Sequence, residues 1–218
     1  FEDQLFYYCP DFAKNAINPA QGVDYTLTEP GGDGMPVYVR SPRQLNGLSR
    51  STYYWNTKNG GAERVQFIQE TDLEYDKYTK SYCGVKYDLM NTDSSNDYRN
   101  QPIGRPNTDN GATVNNFRNS YDGQGHKIVD YRCQADTYQF VGLFGEVQKC
   151  ILKNIVMTAT EPYQSAYVVS NYKSWYYRAG VGALVGLVYV QNKGEQAVIE
   201  NCSVSGYRVE FDVDASSS

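Results

Sequence analysis

The chain has 218 residues and a mass of 24.6 kDa, ample for a single all-β domain with a sizeable core. Lys and Arg number 20 against 25 Asp and Glu, a formal net charge of −5, which argues against nucleic acid because a phosphate-backbone binder needs a basic face. A helical membrane span needs roughly 20 apolar residues, whereas the longest apolar stretch, Val181 to Val190, is broken by Gly182 and Gly186. Tyrosine is the outlier, 21 residues beside 8 Phe and 2 Trp. With a mean hydropathy of −0.61, that composition describes a polar-surfaced β protein rather than a disordered one.

Residues 1–36 show no clear period and end in Glu29-Pro30-Gly31-Gly32-Asp33-Gly34-Met35-Pro36, a linker or long turn. Phe1, Leu5, Phe6, Tyr7, Tyr8 and Phe12 are too apolar for a free tail. They predict a segment that lies across the domain or caps one end. The start at Phe1 fits a mature product or a piece of a larger protein. Val37-Tyr38-Val39 reads as a short strand, and residues 42–48 as a short helix. Ser41 stands at the N-cap, Pro42 at the first helical position and Gln44 at the third, which is a capping box. Leu45 and Leu48, three apart, should face the core.

Val65 to Gln69 is the next predicted strand, running into Glu70-Thr71-Asp72-Leu73. Residues 74–119 are polar, with Gln101-Pro102-Ile103-Gly104 as an ordered landmark. So long a polar segment predicts surface loops or a functional insertion. Tyr121 to Val129 is a Gly-rich turn delivering a strand, with Gly123 and Gly125 expected at positive φ.

A motif then occurs twice. Phe140-Val141-Gly142-Leu143-Phe144-Gly145 precedes Ile151-Leu152-Lys153-Asn154-Ile155-Val156-Met157, and Val181-Gly182-Ala183-Leu184-Val185-Gly186 precedes Val198-Ile199-Glu200-Asn201-Cys202-Ser203-Val204. Such spacing marks a unit that buries its apolar face against a neighbouring copy. Leu152 and Ile199 should then be equivalent inward positions, as should Ile155 and Cys202, with Asn154 and Asn201 stacked at a turn. Gly142, Gly145, Gly182 and Gly186 should let the backbone bend at corners. Alternation in Ser203-Val204-Ser205 and Arg208 to Val213 argues for half-buried sheet. The expected fold is all-β, a short parallel β-solenoid over residues 37–213, followed by a polar tail at 214–218.

The ordered series of motifs resembles GLUG-type modules of bacterial surface and secreted proteins, which are right-handed parallel β-helices. It runs from Arg43-Gln44-Leu45-Asn46-Gly47-Leu48 through Phe67 to Leu73 and Gln101 to Gly104, then Tyr121 to Ile128 and both repeats. The second copy, Gly182 to Gly186 with Ile199 to Gly206, looks like the GLUG repeat proper. The resemblance covers roughly residues 37–211. It implies a non-enzymatic, extracellular or cell-surface module for adhesion, or a stalk, within a larger surface protein. Residues 1–36, the long 74–100 link and the 161–179 insertion depart from the pattern.

Parallel β-helices include glycan-cleaving enzymes, which need a pair of carboxylates flanking the scissile bond. Asn91-Thr92-Asp93 and Asn107-Thr108-Asp109 match a polygalacturonase tripeptide, but the partner Asp-Asp pair, Gly-His-Gly and Arg-Ile-Lys are absent. Turn residues are the better reading of both. His126, the sole histidine, sits in the Asp-Gly-x-Gly-His turn with no nucleophile beside it. Asp72, Glu74 and Asp76 alternate and read as a solvated face, as do Asp93, Asp97 and Asp109, rather than as a calcium site. Cys9, Cys83, Cys133, Cys150 and Cys202 lack zinc spacing, and the last three lie beside apolar strand residues as inert thiols.

No catalytic residue, metal or cofactor emerges. The best binding candidates are the aromatics of the 161–179 insertion, Tyr163, Tyr167, Tyr172, Trp175, Tyr176 and Tyr177, together with Tyr53, Tyr54 and Trp55. Exposed rings can stack on sugars or anchor a protein; equally, Tyr167-Val168-Val169 can form a strand with packed rings, which is the slightly favoured reading. Arg178 beside Tyr177 suits either. The expected partner is a host or bacterial surface glycan or protein. The alternatives are a glycan-binding or glycan-cleaving module using the aromatic insertion and loop carboxylates, and a structural part of a surface filament or tip with exposed apolar patches at its ends.

Overall fold

The computed structural model describes residues 36–40, 42–50, 55, 64–75, 81–82, 85–86, 100–104, 116–135, 138–171 and 179–211. They are all-β apart from helix α1 (Pro42–Arg50). The first strands are β1 (Val37–Val39), β2 (Gln66–Gln69) and β3 (Leu73–Glu74), followed by the hairpin pair β4 (Ser81–Tyr82) and β5 (Val85–Lys86). A second group comprises β6 (Ser120–Asp122), β7 (Lys127–Val129), β8 (Arg132–Ala135) and β9 (Phe140–Val141). The third is β10 (Phe144–Val147), β11 (Ile151–Lys153), β12 (Val156–Thr158), β13 (Tyr167–Ser170) and β14 (Gly180–Val181). The last is β15 (Val185–Val188), β16 (Val198–Glu200), β17 (Ser203–Ser205) and β18 (Arg208–Phe211).

Most strands pair with a strand of the next group, while β1 pairs β2, and β4 pairs β5, inside the first. One sheet runs β1-β2-β6-β11-β16, a second β3-β7-β12-β17 and a third β8-β13-β18; β9 pairs β14 and β10 pairs β15. All of these pairs are parallel. Ile103 and Phe117 bridge to Phe144 and Val147, so the two ends of the 104–116 stretch extend the β10 sheet by one level. The antiparallel β4-β5 hairpin lies inside the 74–100 link.

Parallel pairing in register puts like on like. Leu152 sits between Tyr121 and Ile199, Met157 between Ile128 and Val204, and Val168 between Cys133 and Val209. Tyr121, Ile128, Cys133, Leu152, Met157 and Val168 are all fully buried, each large side chain stabilising by about 1.5–3 kcal/mol. Phe67, Phe117 and Phe144 stack at centroid distances of 6.1 and 5.1 Å. Tyr121 meets Phe144 edge-on at 5.8 Å and donates its hydroxyl to Gln69 Oε1 at 3.1 Å. Complete burial raises the Tyr121 pKa far above the ordinary tyrosine value.

The asparagine stack is present. Asn201 Nδ2 donates to Asn154 Oδ1 at 2.7 Å across 47 residues of sequence, and Asn154 Nδ2 donates to Asp122 Oδ1 at 2.9 Å. Asn154 and Asn201 take φ of 54° and 51°, left-handed conformations that Asn tolerates. Gly125 has the expected positive φ, 78°, but Gly123 does not, and Gln124 takes φ 54° instead. Gly123 is required by proximity, since a Cβ there would lie 2.9 Å from Ile155 Cα. Gly142 and Gly182 stand at corners, between β9 and β10 and between β14 and β15, whereas Gly145 and Gly186 lie inside β10 and β15. A Cβ on Gly142 would stand 2.6 Å from Phe144 O and 2.8 Å from Gly182 O, so these residues permit close backbone approach between β9-β14 and β10-β15.

Helix α1 starts at Pro42 as predicted and extends two residues further, to Arg50. Gln44 Oε1 accepts from Arg40 N at 2.6 Å, one residue before the place a capping box requires; Ser41 lies outside the described residues. Leu45 and Leu48 are buried in the core with Trp55, and α1 shares its lining with Tyr75, Asn100, Ile103 and Tyr131 of the first levels. Among the described residues the other end has no such cover. Val188, Tyr189, Val190, Ile199, Val204, Val209 and Phe211, all in or beside the last strands, are 40–52 % exposed.

Candidate functional site

The outer surface of β8-β13-β18 gathers the most chemistry. Alternation sends Cys133, Val168 and Val209 inward, and register then aligns Arg132, Tyr167 and Arg208 on the outside. The Arg132 and Arg208 guanidinium carbons lie 5.9 and 5.2 Å from the Tyr167 ring centroid, within cation–π range. Arg132 Nε donates to Ser165 O at 2.7 Å. Arg208 Nε lies 3.5 Å from Glu210 Oε2.

Next to this face the 159–166 turn presents Tyr163, 67 % exposed. Asp130 holds the turn from beneath. Its Oδ1 accepts from Thr160 N at 2.8 Å and from Ser165 Oγ at 2.5 Å, and its Oδ2 accepts from Thr160 Oγ1 at 2.6 Å. Burial alone would raise the Asp130 pKa, but hydrogen bonds from Ser165 and Thr160 and the Arg132 charge bring it below the usual carboxylate value. Tyr163 itself has φ 64° and donates its backbone N–H to Gly206 O at 2.6 Å. Gly206, φ 74°, gives the turn room, since a Cβ there would meet Ala159 Cβ at 3.1 Å. Tyr167 and two guanidinium groups thus share one outer face, and the turn that carries exposed Tyr163 is pinned at its border through Ser165 O and Gly206 O.

Trp55 is not a surface ring. It is fully buried and donates Nε1–H to Leu48 O at 2.7 Å, an apolar body with its one polar atom satisfied by the end of α1. Tyr163 is exposed on the turn before β13, and Tyr167 lies within β13. Tyr53, Tyr54, Tyr172, Trp175, Tyr176, Tyr177 and Arg178 lie outside the described residues, as do the two Asn-Thr-Asp strings, Asp76 and Asp97. Arg132 and Arg208 escaped the sequence reading because the links between β8, β13 and β18 differ in length, so no constant period aligns them with Tyr167.

His126 is half-exposed with Nδ1 3.5 Å from Asp72 Oδ1, while Asp72 Oδ1 accepts from Lys127 N at 2.8 Å. Asp72 thus secures the turn before β7. Another polar group locks β10 to the loop after β15. Asn116 Nδ2 donates to Glu146 Oε1 and Gln148 Oε1 at 3.1 and 3.2 Å, and Gln148 Nε2 donates to Glu195 Oε2 at 3.1 Å. Burial raises the Glu146 pKa, whereas Lys149, 2.8 Å away, and then Asn192 hold Glu195 at about 2. Glu146 is only 5 % exposed, which leaves a substrate no approach to its carboxyl. Cys133 and Cys150 are buried free thiols and Cys202 a half-buried one; burial pushes the Cys150 thiol up to about 11 and that of Cys202 upward too. None is an activated nucleophile. Among the described residues no group of three or more His, Cys, Asp or Glu side chains is placed to hold a metal ion, and no helix is long and apolar enough to cross a membrane.

No family model matches the chain, and no curated protein or solved structure matches it.

Proposed function

We propose that this chain is a right-handed parallel β-helix of the GLUG type, a non-enzymatic module of a bacterial surface or secreted protein that binds a surface glycan or protein through its outer side. The parallel, in-register sheets support the β-helix reading, with Leu152 on Ile199 and Asn154 on Asn201 as the repeat requires. Equivalent residues of successive circuits stack in that architecture, and antiparallel sandwiches do not produce such columns. The GLUG kinship, surface location and adhesive role rest on the motif series described above.

One observation carries the binding reading, namely Tyr167 set between Arg132 and Arg208 on the outer face, with the turn that carries exposed Tyr163 tied to Arg132 through Ser165 O. Aromatic faces stack on sugar rings, and guanidinium groups take carboxylate or sulfate in paired hydrogen bonds. Acidic glycans therefore fit this face best. A glycan array probed with the chain and with Tyr163→Ala and Tyr167→Ala variants tests the reading. Binding to uronate, sialylated or sulfated glycans that both variants lose supports it; a blank array rejects a glycan ligand. The seven exposed apolar side chains at the last strands favour one other reading, a structural component whose ends make contacts.

A further inference from the structure

The uncovered end carries an inference of its own. β15, β16, β17 and β18 each stand last in their sheets, so among the described residues no strand faces their outer N–H and C=O groups. Side chains that point inward from them are only partly covered. Ile199, Val204 and Val209 are 41, 40 and 44 % exposed, although their register partners Leu152, Met157 and Val168 are fully buried. Residues 198–211 contain no proline, and their inward positions 199, 204 and 209 carry no charge; short strands and the outward Glu200, Arg208 and Glu210 are the protections they do have.

We infer that this end docks on the same end of a second copy of the chain, β16, β17 and β18 pairing antiparallel about a two-fold axis at Val204. The sequence is self-complementary in that one register. β16 and β18 are each separated from β17 by a two-residue turn, 201–202 and 206–207. Val204 placed opposite its own copy therefore sets Ser203 against Ser205, Ile199 against Val209 and Glu200 against Arg208. Directly opposed residues share a face in an antiparallel pair, so the inward positions meet apolar to apolar. The exposed Glu200 and Arg208 meet with opposite charge on the outer side, twice per dimer. A head-to-tail filament is disfavoured, because Leu45, Leu48 and Trp55 are buried over the first levels and the apolar side chains of β1 are fully covered. Identical ends facing each other close the assembly at two copies.

Sedimentation velocity over a concentration series is the test, on the whole chain and on Glu200→Arg, Arg208→Glu, the double exchange and Val204→Asp. A dimer of twice 24.6 kDa is expected for the parent chain. Each single charge reversal should weaken it about tenfold or more, and the double exchange should restore it. Val204→Asp should give monomer with unchanged far-ultraviolet circular dichroism. A parent chain that stays monomeric, a series of larger polymers, or a double exchange no tighter than its single variants would each overturn the proposal. Glu200 and Arg208 point outward, so their substitution leaves the core intact and the result readable.

Discussion

Leu152 and Ile199 occupy one column, pair in parallel register and follow the same repeat motif, yet one is fully buried and the other 41 % exposed. The same holds for Met157 against Val204 and for Val168 against Val209. Sequence pattern therefore specifies the face on which a residue lies. Burial is added by the next level of strands, which the middle strands have on both sides and the last strands on one. The helix-covered end sharpens the contrast. There α1 and Trp55 do for the first levels what no described residue does for the last.

Substitutions can break or sharpen that contrast. Trp55→Ala should cost the most, about 4 kcal/mol in denaturant unfolding, because it empties a large buried site at the covered end. Leu152→Ala should cost about 3 kcal/mol, and Ile199→Ala about 1 kcal/mol or less when measured on monomer. Equal costs at those two positions would mean that the last strands are covered after all. Asn154→Ala should cost about 2 kcal/mol, through the lost ladder bonds and a left-handed backbone that Ala resists. Asn154→Gly, which accepts that backbone, should recover about half, while Asn201→Ala at the edge should cost less than Asn154→Ala.

Asp130 gives a pH test. Its folded pKa lies below the unfolded value of about 3.9. Its contribution is therefore complete above that unfolded pKa and is lost as pH falls through the folded one. Asp130→Asn should lower stability by about 1 kcal/mol at pH 7 and flatten the acid limb of the stability profile below the unfolded pKa of about 3.9. The smallest expected effect lies between the middle and last strands. Lys149→Ala should move the Glu195 titration upward from about 2, read by carboxyl carbon NMR, with little change in melting temperature.

Several elements were legible because local rules dictate them. Pro42 at the first helical position and Leu45 with Leu48 gave α1, and the twice-occurring Val-Gly and Asn motifs gave the β11-β16 and β12-β17 registers. Those registers could be read because both links preserve one spacing, 47 residues from Asn154 to Asn201. The candidate binding face was half legible. Tyr163 and Tyr167 stand out in composition, but Arg132 and Arg208 reach Tyr167 across links of unequal length. Trp55 misled the reading because polar neighbours surround it in sequence, while α1 and the 116–118 segment surround it in space; Arg118 N donates to Trp55 O at 2.8 Å.

Taken alone, the sequence determined the strand alternation and the repeat columns, since these follow from residue type at fixed local spacing. Tertiary structure decided which glycines serve proximity rather than positive φ, which aromatics are core and which are surface, and which end is covered. Those features depend on what the neighbouring level of backbone places within a few ångströms, and loops of variable length hide that neighbour from any pattern along the chain.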